Sequence, residues 1–175
     1  MDNSTPLVSP SSSLKLTIEL TPKSTSCKDI QKQFNKKQWA VISDMVFLRT
    51  KGLCEICEAS IDKKTFKMYA CWLYNGNIQS LSKLIGLCSN CNQAKDRGIA
   101  ALNADTTYVI EHYCRVNGVA YEEATKHIED AFDVWSQHSN VEWVLDTQKI
   151  LAIQQWADKK IIETESAIKA DNKKE

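Results

Sequence analysis

The chain has 175 residues, 43% hydrophobic and 25% charged, with 22 basic residues balancing 22 acidic ones. This is ordinary globular composition, enough for one sizeable domain or a small core with appendages. No stretch approaches the ~18 apolar residues of a membrane span. MDNSTPLVSPSSS at the N-terminus lacks the basic and apolar pattern of a secretory signal. Seven cysteines, an odd number, do not complete a disulfide framework. A reducing, cytoplasmic setting follows, where paired thiols more often hold metal than each other.

In chain order, the Ser/Pro-rich residues 1–13 read as a disordered tail. Leu14–Leu20, LKLTIEL, alternates apolar and polar residues and predicts a strand that Pro22 ends. Thr21–Lys28 reads as a loop, and its Cys27 as a free thiol. A helix is expected from Asn35 or Lys36 to Lys51, with Trp39, Ile42, Val46 and Phe47 on one face and Gly52 as its C-terminal stop. These elements make up a first segment, 14–53.

The segment 54–102 carries the chemistry. Cys54/Cys57 and Cys88/Cys91 form two Cys-x-x-Cys pairs around thirty residues. Each pair sets two thiols on one tight turn. Together they offer the four ligands of a closed tetrahedral zinc site, with Zn–S near ~2.3 Å. Two disulfides or four buried thiols are the alternatives. The spacer exceeds the ~15–20 residues of a common two-pair template, which leaves room for a β-hairpin. Thr65–Tyr74 predicts its first strand, Asn75-Gly76-Asn77 the turn and Ile78–Leu87 the return. Cys88–Cys91 then opens a helix reaching about Leu102.

The rest, 103–170, reads as helical. Asp105 is a candidate N-cap for Thr106–Asn117, which stops at Gly118. Tyr121–His138 is a second helix, with Ala124, Ile128, Ala131, Phe132 and Trp135 as its stripe. Val141–Leu145 is a short strand candidate, pairing with Leu14–Leu20. Thr147–Ala170 is a last helix with Ile150, Ile153, Ala157 and Ile161 inside, and 171–175 a frayed end. The expected class is α+β.

The order knuckle, hairpin, knuckle, helix resembles the HNH nuclease family, whose fold is the ββα-metal finger. LIGLCSNCNQAKDRG carries most of the likeness, since an LCxxCHxxK or LCxxCNxxK segment closes that family's knuckle and begins its metal-binding helix. LTIEL, the Trp39 helix, VNGV, FDVWSQHS and EWVLD resemble a bacterial branch of HNH-domain proteins, so the likeness spans about residues 14–146. The resemblance implies an HNH-like finger with a four-cysteine zinc knuckle, hydrolysing phosphodiesters with one divalent ion and a histidine base.

The hydrolytic residues do not carry over. Aligned on Trp72, Tyr69 and Ala70 stand where the branch has a His-Glu pair. Lys83 stands where the family often has its middle Asn, Asn92 at its last ligand position, and Asp96 where the branch has another His. No histidine lies between Cys54 and Gly98; His112, His127 and His138 are all downstream. The resemblance thus implies a nucleic-acid-associated protein with an inactive or weak centre, which leaves enzymatic activity an open question. Two alternatives remain. An active nuclease would hold a second divalent ion through Asn92 and Asp96, with His112 or solvent hydroxide as base. A protein-interaction module would use the acidic helices after Gly98.

Charge bears on this choice. From Arg49 to Gly98 there are eight Lys/Arg against four Asp/Glu; from Ile99 onward there are eight against fourteen. Lys63, Lys64, Lys67, Lys95 and Arg97 are the candidates for contact with a nucleic-acid backbone. Cys71, in the hairpin, reads as a small buried hydrophobe; Cys114 has no assigned role.

Overall fold

The computed structural model describes residues 14–25, 27–96 and 107–171. Among them are five α-helices and one three-stranded sheet, so the chain is α+β. The expected tail 1–13, the Asp105 cap, the end of the helix near Leu102 and residues 172–175 lie outside the described residues. No helix among the described residues is long and apolar enough to cross a membrane.

After a short 3-10 turn at Ile30–Gln33, helix α1 spans Lys36–Arg49. Its start is fixed by a reciprocal cap. The Asn35 side chain accepts from the Gln38 N–H at 2.9 Å, and the Gln38 side chain accepts from the Asn35 N–H at 3.0 Å. Ile42 and Val46 are fully buried. Lys51 and Gly52 end the helix with φ of 55° and 71°; glycine takes that left-handed conformation without the strain a side chain adds.

Strands β1 (Lys67–Asn75) and β2 (Ile78–Leu87) form the expected antiparallel hairpin. Cys71 pairs with Lys83 and Trp72 with Leu81, so Ser82 is an extra residue in a bulge. Helix α2 (Ser89–Asp96) follows directly, then α3 (Thr107–Asn117) and α4 (Tyr121–His138). Strand β3 (Val144–Asp146) adds to β2 in parallel, Ile78 opposite Val144, and α5 (Gln148–Asp171) closes the chain.

The hairpin separates two cores. Tyr69, Ile85 and Leu87 face α2, α3 and α4, together with Cys54 and Cys91. Ala70, Leu81 and Leu84 face α1 and α5, where Ile42, Val46, Ile150 and Ala157 pack. Residues one apart on a strand point to opposite faces, so Tyr69 and Ala70 belong to different cores.

One expectation is corrected. Leu14–Leu20 is not a strand, and β3 pairs with β2 instead. The segment is extended, but its backbone partners lie elsewhere. The Asn117 amide accepts from the Leu16 N–H and donates to the Leu16 carbonyl, both at 2.9 Å. The Glu19 N–H donates to the Lys95 carbonyl at 3.2 Å. Alternation reported a buried edge, with Leu16 fully enclosed; it carries no information on whether a strand or a side chain satisfies the backbone. Gln79, fully buried in β2, grips Cys27 the same way, accepting from its N–H at 3.1 Å and donating to its carbonyl at 2.9 Å.

Candidate metal centre

The first knuckle grows from the end of α1. The Cys54 N–H donates to the Ala59 carbonyl and the Glu58 N–H to the Cys54 carbonyl, both at 2.9 Å. Glu58, just after Cys57, takes a left-handed φ of 61°. The loop is clipped to β2. The Glu55 N–H donates to the Gly86 carbonyl at 3.0 Å, and the Glu55 carboxylate accepts from the Gly86 N–H at 2.6 Å. Arg49 bridges that carboxylate, at 2.8 Å, and the Leu84 carbonyl, at 2.9 Å. A Cβ on Gly86 would lie 2.5 Å from the Phe66 ring and 2.9 Å from the Thr50 methyl. Glycine at this position leaves room for Phe66 and Thr50 against the strand that delivers the second knuckle.

Cys88 sits at the β2–α2 junction and Cys91 in the first turn of α2, its N–H directed at the Cys88 sulfur at 3.4 Å. All four sulfurs lie within 4.8 Å of one another, and Cys57 and Cys88 are 3.7 Å apart. A tetrahedron with metal–sulfur bonds of ~2.3 Å has edges of about 3.8 Å, so the four thiols fit a metal ion. None of the seven cysteines is in a disulfide. Cys54 and Cys91 are buried, Cys57 and Cys88 half-buried. Hydrogen bonds from Cys88 and Cys91 hold Cys54 far below the ordinary thiol range. The same bonds seen from the donors push Cys88 up to about 11 and Cys91 higher still.

No protein-family model matches the chain, and no curated protein or solved structure is significantly similar to it.

The remaining candidates scatter. Tyr69 is buried, with its hydroxyl directed at the Glu19 carbonyl at 3.4 Å. The Lys95 ammonium lies 5.1 Å from the Tyr69 ring centre and pairs with Glu19 at 2.7 Å and with the Thr17 hydroxyl at 3.0 Å. Lys95 is only 3% exposed, which removes it from the nucleic-acid candidates. Ala70 faces the α1–α5 core and cannot share a site with Tyr69. Lys83 is exposed, opposite Cys71. Asn92 is half-buried one residue past Cys91. The Asp96 side chain and Arg97 lie outside the described residues, so the pairing of Asn92 with Asp96 is not observed. Lys63, Lys64 and Lys67 are exposed, Lys63 paired with Asp44 at 2.8 Å.

Cys71 and Cys114 pack against the metal-side core, outside the four-thiol group. Burial raises both thiols. His127 meets the Tyr113 hydroxyl through Nδ1 at 3.2 Å, and His138 packs against both Tyr74 and Trp143, which also touch each other. His112 does return to the finger, but to the thiols. Its Nε2 is 3.1 Å from the Cys91 sulfur, and its Nδ1 is 3.1 Å from an Arg115 guanidinium nitrogen. In sequence, His112 and Arg115 differ from any i, i+3 pair on a helix in nothing that signals this; Lys95–Glu19 spans 76 positions and carries no local signal.

A cleft of about 610 Å³ opens beside Tyr69, between the 14–21 segment, β1 and α4. Trp72, Tyr74 and Trp135 wall it, and Asp130 and Asp133 stand on its α4 side.

Proposed function

We propose that this chain is an HNH-like finger in which zinc is a structural ion and the hydrolytic centre has been replaced. It works as a nucleic-acid-associated binding module and not as an efficient nuclease. Four thiolates in a closed tetrahedron suit zinc and leave no position for a reacting water. The hairpin followed directly by α2, with the thiols at both ends, supports the HNH-like reading. One observation carries the loss of hydrolysis: the Lys95 ammonium, buried and tied to Glu19, sits over Tyr69 at the position where the resembled family has its histidine. A divalent ion held there would face that ammonium in a low-dielectric setting, where like charges repel strongly. Tyrosine, with an ordinary pKa near ~10, is also a poor base near neutral pH.

Backbone contact then falls to Lys63, Lys64 and Lys67, all exposed on the finger. The experiment combines cleavage and binding. Duplex DNA incubated with the zinc-loaded chain and magnesium, manganese or nickel should stay intact. Binding to duplex or single strands should appear at low salt, be sequence-tolerant and weaken steeply with salt. Replacing the three lysines with glutamine should flatten the salt dependence. Metal-dependent cleavage abolished by Asn92→Ala would establish the active-nuclease alternative and overturn the proposal.

The aromatic cleft favours a second reading, a protein-interaction module. Trp72, Tyr74 and Trp135 beside Asp130 and Asp133 suit a peptide segment with basic or aromatic side chains. No nucleic-acid binding at low salt, together with loss of partner capture by Trp135→Ala, would favour it over the first.

A further inference from the structure

We propose that His112 and Arg115 form an outer shell to the metal centre, in which Arg115 fixes the His112 tautomer and His112 donates a hydrogen bond to the Cys91 sulfur. The inference rests on the four cysteines holding a metal ion.

The chemistry of the donors dictates the order. A guanidinium has N–H donors and no acceptor. With an Arg115 nitrogen 3.1 Å from Nδ1, Nδ1 must accept. A neutral imidazole that accepts at Nδ1 carries its proton on Nε2. That nitrogen is 3.1 Å from the Cys91 sulfur, so its N–H points at a sulfur that receives it. His112 is not one of the four clustered donors; it stands behind one of them. His112 and Arg115 are three residues apart on α3, hence on one face, and α3 packs along α2, whose first turn holds Cys91.

The position of the donor matters. Cys91 and Cys54 are enclosed, 0% and 1% exposed, whereas Cys57 and Cys88 are half-buried. Four thiolates around a dication leave a formal charge of −2, and the two enclosed cysteines have little water to share it; His112 stands behind Cys91. A charge held away from solvent needs hydrogen bonds or an opposite charge nearby. His112 supplies the hydrogen bond, and Arg115, exposed at the rim with Lys15 beside Cys57, supplies the positive charge. Outer partners of this kind orient ligands and typically account for 10–100-fold in metal affinity.

Two measurements on the full-length chain test this. Long-range ¹H–¹⁵N NMR of the zinc-loaded wild type should place the His112 proton on Nε2, and Arg115→Ala should shift the ring toward a mixture of tautomers. Competition against a chromophoric chelator should show His112→Phe binding zinc about 10–100-fold more weakly, with His112→Gln, whose amide still donates, recovering much of the loss. A proton on Nδ1 in the loaded wild type, or His112→Phe binding zinc as tightly as wild type, overturns the outer shell while leaving the metal site standing. A wild-type chain that takes up no zinc overturns the metal reading itself.

Discussion

The two faces of the hairpin are built by different means. On the α1–α5 side, Ala70, Leu81 and Leu84 meet Ile42, Val46 and Ile150, and the buried glutamines are uncharged, Gln38 bonded to Asp158 at 2.9 Å and Gln79 to the Cys27 backbone. On the metal side, Lys95 and His112 are buried among apolar residues, and four clustered thiols are part of the core. A core of aliphatic side chains tolerates repacking. A core built on a buried ammonium, a buried imidazole and four thiols depends on every partner being present. The metal side should therefore fail abruptly, and the other side in proportion to volume removed.

The largest effect should come from the thiols. Cys88→Ser should abolish metal uptake and the cooperative transition, since metal-binding free energy at such sites is folding free energy. Retention of a wild-type melting curve by this variant would break the comparison at its root. Ile42→Ala, on the other face, should cost about 2–5 kcal/mol by its lost burial and cavity, measured by urea unfolding, while zinc stoichiometry stays unchanged.

Gly86→Ala comes next. Its methyl group would press on Phe66 and Thr50, and overpacking typically costs about 1–3 kcal/mol. Because Gly86 also clasps Glu55, zinc affinity should fall with stability. A loss of stability alone would separate packing from knuckle assembly. Glu58→Gly should move the other way. Relieving a left-handed side chain gains about 1 kcal/mol, visible as a raised midpoint with zinc affinity kept.

The smallest effect is on pH dependence. Burial lowers the His138 pKa below its ordinary value, so the folded chain favours neutral imidazole. That contribution is present above the unfolded pKa near ~6.5 and is lost as pH falls through the lower folded value. The difference in stability between wild type and His138→Gln should shrink below pH ~6.5. A difference independent of pH would show that His138 contributes by packing alone.

Local signals in the sequence carried much of this fold. Asn35, Gly52 and Gly118 mark helix ends, and Asn75-Gly76-Asn77 marks the hairpin turn, because caps and turns are decided by a few adjacent residues. The four-thiol group was legible for the same reason, each knuckle being a local motif. Tertiary pairings were not. Asn117 replaces a neighbouring strand for Leu16 across 101 positions, and Lys95 finds Glu19 across 76. Nothing in LTIEL or NQAKD announces the other. The basic patch shrank accordingly, since Lys95 reads as a surface charge until Glu19 is seen to enclose it.

The central claim is that one zinc ion holds the metal-side core together. Elemental analysis of the purified chain, followed by a near-ultraviolet circular dichroism melt with and without chelator, tests it most directly. We expect one zinc per chain, and on chelation the loss of the aromatic signal and of the cooperative transition. A metal-free chain that keeps both and melts like the loaded form would contradict the account.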